Sequence, residues 1–304
     1  MVSNCNMKND SFFELMQQMV TLFRERHQFR TAETYTTTMN SFRRFLEGHD
    51  IPFRSVTPEL VENYETWLLK KGLSRNSTSF YMRILRAVFN HAVDLGHVPI
   101  SEPFRHVYTG VDKTRKRAIP LSVIRRMKAL DLESRPDLAF SRDMFLFSFF
   151  TRGMSFVDMA YLRPGSISQG CLSYVRKKTG QLLRIHWEDC MQEIVDRYPA
   201  GDAGYLLPII TDPGRDDRNQ YRNVLFHVNA GLAEISRMLH LDPPITTYVA
   251  RHSWATAAYS QNVPVSIISE ALGHDSERTT RIYLASVSNS RVDRANSMII
   301  KKLL

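Results

Sequence analysis

Four stretches in the first hundred residues repeat apolar side chains at the three-to-four-residue spacing of an α-helix. That periodicity restricts the start of this chain to a helical bundle. Between residues 11 and 28, Phe12, Phe13, Leu15, Met16, Met19, Val20, Leu22 and Phe23 fall on one broad stripe. A second helix is expected from Thr31, with Tyr35, Met39, Phe42, Phe45 and Leu46 inward and Arg43 and Arg44 outward. The third follows Thr57, whose hydroxyl can accept from the open amides of a first turn, with Pro58 at the first helical position. Leu60, Val61, Tyr64, Trp67 and Leu68 make its apolar face. Ser77 or Thr78 is expected to open the fourth, which carries Tyr81, Ile84, Leu85, Val88, Phe89 and Ala92 and stops at Gly96. Arg75, Arg83 and Arg86 fall off that face.

A change of texture follows. Residues 103–119 (PFRHVYTGVDKTRKRAI) hold five Lys+Arg against one acid and no helical stripe. They read as a basic, extended strap between two domains, able to follow a polyanion through phosphate contacts alone. The expected division is therefore a helical domain over 1–104, a linker over 105–118 and a second domain over 119–304. The second domain predicts helices at 122–133, 136–151 and 156–163, then strands at 172–177 and 182–187. In the first strand Leu172, Tyr174 and Arg176 alternate with Ser173, Val175 and Lys177, the pattern of a hairpin with one wet face. Helices at 188–198, 219–239 and about 291–304 complete the reading.

The 304 residues carry a formal net charge of +9 and a pI near 9.5, which points to a polyanionic partner. The excess is spread over both domains: 17 Lys+Arg against 12 Asp+Glu in 1–117, and 23 against 19 in 118–304. A basic tail would concentrate it; two basic faces fit a clamp. Cys5, Cys171 and Cys190 lie far apart with no C-x-x-C spacing, so neither a disulfide framework nor a zinc site is expected, and the compartment is read as reducing. No apolar run approaches the roughly 20 residues needed to cross a bilayer, and the N-terminus lacks a secretory pattern. A soluble, cytoplasmic protein without membrane contact is expected.

Chemistry is concentrated between Tyr248 and Tyr283. Arg251 can neutralise two non-bridging phosphate oxygens with its planar fork. His274, in the turn Leu272-Gly273-His274, can donate to a third position, and Tyr283 can attack the phosphorus and become covalently attached. A phenol is a poor nucleophile at its ordinary pKa of about 10, so its neighbours must be cationic. Arg251 is expected at the start of a helix whose buried face is Trp254, Ala255 and Ala258. His252 is expected to face elsewhere, as packing or as an indirect support. Gly273 is expected to end a helix in the left-handed conformation and so to fix where the imidazole lies.

This stretch resembles the tyrosine recombinase (phage integrase) family. There an R-H-x-[FW]-A-T stretch, an L-G-H turn and a tyrosine nine residues past that histidine recur together. Here they are Arg251 to Thr256, Leu272 to His274, and Tyr283. The resemblance implies a mainly α protein with a small β-sheet, in which a four-helix, SAM-like core-binding domain precedes an α+β catalytic domain. It also implies that a hairpin lysine protonates the leaving 5′ oxygen. Lys178 is the better match and Lys177 the runner-up.

Two departures stand out. The family's H-x-x-R begins here with Tyr248, which can donate a hydrogen bond but accepts a proton poorly. The pattern G-x-R-x-x-E-x-x-x-L maps onto Gly153 to Leu162, so the first catalytic arginine falls on Ser155 and the acidic position on Asp158. Arg152, one turn away if the helix is continuous, is the preferred substitute, and Arg176 on the hairpin the second. Asp158 is expected to orient the arginines.

The resemblance further implies a 3′-phosphotyrosyl intermediate and a Holliday junction, with no metal, ATP or other cofactor. The expected partners are double-stranded DNA, four protomers of this chain on two sites, and accessory DNA-bending proteins. The final helix would dock on a neighbour through Met298, Ile299, Ile300 and Leu303. With two domains legible and no arm-binding module, an invertase, a resolvase or a mobile-element integrase all fit. A DNA-binding protein with a decayed site, suggested by Ser155 and Tyr248, and a type IB topoisomerase-like enzyme are the rival readings.

Overall fold

The computed structural model describes residues 11–112, 118–284 and 300. The chain divides into two compact units, Met1–Lys113 and Thr114–Leu304.

The first unit holds α1 (Phe12–Glu25), α2 (Phe29–Phe45), α3 (Pro58–Lys70) and α4 (Arg75–Asp94). Three of these four begin where a hydroxyl can satisfy an open amide. Ser11 Oγ accepts from Glu14 N at 3.0 Å, and Thr57 Oγ1 from Leu60 N at 3.2 Å, with Pro58 at the first helical position. The cap of α4 is Ser74, not Ser77 or Thr78. Ser74 Oγ accepts from Ser77 N at 3.3 Å, while the buried Thr78 hydroxyl donates back to Ser74 O at 3.2 Å, so Thr78 lies inside the helix it was expected to open. Tyr64 centres the core, its ring 4.9 Å from Phe42 and 5.1 Å from Phe45, and its hydroxyl donates to Ser41 Oγ at 2.8 Å.

The expected strap is docked as far as Asp112. Phe104 and Val107 are buried in the helical core. Tyr108 N donates to Glu65 Oε1 at 3.1 Å, the Arg75 guanidinium lies 3.8 Å from the centre of the Tyr108 ring, and the Tyr108 hydroxyl donates to Asp112 Oδ1 at 2.6 Å. Asn76 closes the arrangement with both backbone groups of Asp112, at 3.1 and 2.7 Å. Side chains on the first turn of α4 thus hold a segment whose basic composition reads as free chain.

The second unit runs α5 (Leu121–Lys128), α6 (Pro136–Phe150), α7 (Phe156–Ala160), β1 (Ile167–Ser168), β2 (Cys171–Val175), β3 (Leu182–His186), α8 (Asp189–Arg197), α9 (Asp217–Met238), α10 (Thr247–Ser260), α11 (Val265–Ala271) and α12 (Glu277–Leu284). The mainly helical class with one small antiparallel sheet, ordered β1-β2-β3, matches the expectation, with β1 as an added two-residue strand. Helix α6 is apolar around most of its circumference because it is the centre of the unit, packed against α8, α9 and α10. Its one buried carboxylate, Asp143, is held by Arg142 at 2.8 Å, by Arg197 and by the Tyr198 hydroxyl at 2.9 Å. In the hairpin Leu172 pairs with Ile185 and both are buried. The ladder ends at Val175↔Leu182, and the next backbone bond, Arg176 N to Gln181 O at 2.8 Å, closes the turn. Apart from Ile300, which is helical and exposed, the expected final helix at 291–304, with Met298, Ile299 and Leu303, lies outside the described residues.

Candidate active site

The site is assembled where three chain breaks meet. The first is the end of α6. Arg152 and Gly153 both take positive φ, at 59° and 74°, and Gly153 N donates to Ser148 O at 2.7 Å, so the chain leaves the helix abruptly. A Cβ on Gly153 would lie 2.5 Å from Arg251 Cα. This is a left-handed conformation and a close approach at once, and only glycine meets both demands. Gly153→Ala is therefore expected to destabilise the unit by about 2–5 kcal/mol. Its thermal transition should fall by roughly 5–15 °C, and an unchanged melting curve would contradict the geometry.

The second break is the turn after α11. Gly273 has φ 61°, Gly273 N donates to Glu270 O at 2.8 Å and His274 N to Ser269 O at 3.0 Å, the paired bonds of a glycine-ended helix. The expectation for Gly273 is met. The third break is the hairpin turn, which packs directly on Gly273. A Cβ there would lie 3.0 Å from Gln181 Oε1 and 3.1 Å from both Arg176 Cδ and Leu183 Cδ1.

Two buried guanidiniums tie the breaks together. Arg251 sits in the second turn of α10 rather than at its start, and is 2% exposed. It donates through Nη1 to Gly153 O at 2.9 Å and through Nη2 to Leu272 O. Arg176, 5% exposed, donates through Nη1 to Gly273 O, the next carbonyl along. Its Nε has no hydrogen-bond acceptor among the described residues.

His274 shares this surrounding. Its Nδ1 lies 2.8 Å from Thr280 Oγ1 on α12. Burial lowers its pKa to about 3, helped by the positive charges of Arg251, Arg176 and Lys178. The imidazole is therefore neutral near pH 7. The continuous helix that would have carried Arg152 into this place is absent, because α6 stops at Phe150 and α7 begins at Phe156. The Arg152 guanidinium instead reaches Arg184 O on β3, at 3.4 Å.

Ser155 and Asp158 form a separate link. Ser155 Oγ donates to Asp158 Oδ2 at 2.6 Å, and Asp158 Oδ1 accepts from Lys177 N at 2.9 Å. Asp158 thus holds the hairpin's main chain, where it was expected to orient the arginines. Lys177 lays its ammonium 3.1 Å from the centre of the Tyr161 ring, and desolvation lowers its pKa. Lys178 is exposed in the turn and adds to the field on His274. Tyr248 is 49% exposed on the first turn of α10, its ring edge-on to the buried His252 at 4.9 Å. The backbone of Tyr283 lies in the last turn of α12; its side chain is outside the described residues. Thr280, three residues before Tyr283 in a polar stretch of the sequence, is fully buried.

Comparison with known sequences decides the family. Residues 11–107 match the phage integrase SAM-like domain, and residues 215–289, which carry Arg251, His274 and Tyr283, match the phage integrase family. A tyrosine recombinase of Pseudothermotoga lettingae is 21% identical over 283 residues, 88% of this chain and 92% of that protein. The chain belongs to the tyrosine recombinase family. Members of this family are enzymes that break and rejoin DNA. Solved integrase and site-specific recombinase structures share the fold. A lambda integrase tetramer bound to a Holliday junction superposes with a TM-score of 0.67 at 17% identity, over 91% of this chain and 78% of that one. The Tn1549 transposon integrase in complex with circular-intermediate DNA gives 0.64 at 14%, over 90% and 95%. XerH recombinase bound to its palindromic difH substrate gives 0.64 at 15%, over 88% and 79%. As in the sequence expectation, no helix among the described residues of this tyrosine recombinase is long and apolar enough to cross a membrane.

Proposed function

We propose that this chain is a site-specific recombinase of double-stranded DNA in which the second phosphate-clamping arginine is Arg176. The observation that carries this reading is the convergence of Arg251 and Arg176 on consecutive carbonyls, Leu272 and Gly273, of the turn that presents His274. Two buried cations held by neutral dipoles create the positive field that a pentacoordinate phosphate needs, and they stand in place before DNA arrives. Tyr283 oxygen attacks the scissile phosphorus while the bond to the 5′ oxygen breaks, leaving a 3′-phosphotyrosine. Lys178, the exposed cation that acts on His274, gives its proton to the departing 5′ oxygen. His274 donates to a non-bridging oxygen. Arg152, whose guanidinium reaches Arg184 O on β3, has the lesser part, and Tyr248 supplies a hydroxyl where the family has histidine. A 5′-hydroxyl from the partner duplex then attacks the phosphotyrosine and expels Tyr283. The bond energy is conserved, so the exchange does not require ATP.

Four protomers on two sites, a Holliday junction and the help of DNA-bending proteins belong to the same proposal, and inversion, resolution and integration all fit it. Incubation with a duplex nicked beside the cleavage position tests it, since loss of the short 5′ fragment traps the covalent product. An adduct retained in denaturing gels, with the attached peptide containing Tyr283, is the expected result. Tight DNA binding with no adduct on any substrate would instead favour the DNA-binding protein with a decayed site.

A further inference from the structure

Thr280 is a fully buried hydroxyl on α12, the helix that also carries Tyr283 three residues later. Its hydrogen-bond partner is His274 Nδ1, at 2.8 Å. A buried hydroxyl that donates to nothing is costly, and the acceptor that geometry gives it is that ring nitrogen. If the hydroxyl hydrogen goes to Nδ1, the imidazole proton must reside on Nε2.

We propose that Thr280 is the positioning residue of His274: its hydroxyl donates to Nδ1, keeps the proton on Nε2, and makes the donor function of the imidazole depend on the docking of the helix that bears Tyr283. The proposal rests on the reading that His274 donates to the scissile phosphate. The neutral state of the ring agrees with it, because an imidazolium would carry hydrogens on both nitrogens and could not accept. Arg251 from α10 and Arg176 and Lys178 from the hairpin are cations that act on His274 and oppose an imidazolium, whereas Thr280 is neutral. Helix α12 is held on α10 and α11 by Leu284, which packs with Ala255, Ile268 and Leu272. Whatever seats Leu284 and Thr280 therefore sets the imidazole and places the Tyr283 backbone in one event. A donor whose tautomer is correct only when the nucleophile's helix is seated prevents a half-assembled site from holding phosphate productively.

The test uses the full chain with 15N-labelled histidine and a nicked duplex substrate. The His274 resonances are identified by their loss in His274→Gln. In the wild type, His274 is expected to show a protonated Nε2 and a bare Nδ1. Thr280→Val, which removes the hydroxyl at nearly constant volume, should shift the ring toward a tautomer mixture. It should also slow single-turnover cleavage about tenfold, the effect of one lost hydrogen bond, with the melting temperature little changed. Thr280→Ser should restore both the tautomer and the rate, a rescue that mere packing would not give. An unchanged tautomer in Thr280→Val, or an unchanged rate where His274→Gln is slow, overturns the proposal and leaves the reading of His274 intact. If His274→Gln cuts as fast as the wild type, the donor role of His274 falls, and the catalytic half of the proposal with it.

Discussion

Replacing Arg176 with alanine is expected to slow first-strand cleavage about 10²–10³-fold, the cost of removing one preorganised donor from a transition-state charge. DNA affinity should change far less, because phosphate contacts over both basic units supply most of the binding free energy. The expectation follows from placement. Arg176 is buried and bonded to Gly273 O, one carbonyl from the Arg251 contact at Leu272 O, whereas Arg152 reaches out to Arg184 O. Ser155 cannot supply the missing charge, since its hydroxyl is committed to Asp158. Arg176→Lys should recover part of the rate, as it keeps the charge and loses the fork. Single-turnover kinetics on a nicked duplex, with melting temperatures recorded for each variant, provides the comparison. A crippled Arg152→Ala beside a near-normal Arg176→Ala would reverse the assignment.

The other large effect concerns Tyr283. Tyr283→Phe removes one oxygen, so covalent attachment to DNA should fall to zero within detection while equilibrium binding stays at the wild-type level. Gel-shift and denaturing-gel assays on the same substrate separate the two quantities. Persistence of the adduct in Tyr283→Phe would move the nucleophile to another phenol, with Tyr248 and Tyr259 the first to replace.

Much of this fold is legible in the sequence because its determinants are local. Thr57 and Pro58 announce a helix start through hydrogen bonding and a fixed φ. Strand alternation puts Arg176 on the same face of the hairpin as Leu172, and both are buried. The motif spacing locates Arg251, His274 and the Gly273 turn. What is not legible depends on long-range contact or on a break in periodicity. Arg152 looks one helical turn from Ser155, but two successive positive φ values at Arg152 and Gly153 end the helix, and counting residues through a break misplaces a side chain. The docked segment up to Asp112 is held by Asn76 and Glu65, more than thirty residues earlier, so its composition alone suggests free chain. Ser74 displaces Ser77 and Thr78 as the cap of α4 because several hydroxyls within five residues compete for the same amides. Thr280 escapes notice because burial of a polar side chain leaves no trace in a polar stretch.

Three backbone carbonyls, those of Gly153, Leu272 and Gly273, accept from Arg251 and Arg176. A carboxylate partner can be deleted by one codon change, but a peptide carbonyl survives every substitution. Those three contacts are thus insulated from mutation of the side chains around them. Damage to them must come instead through the path of the backbone, which makes Gly153 and Gly273, residues that take no part in the chemistry, fragile points of this site.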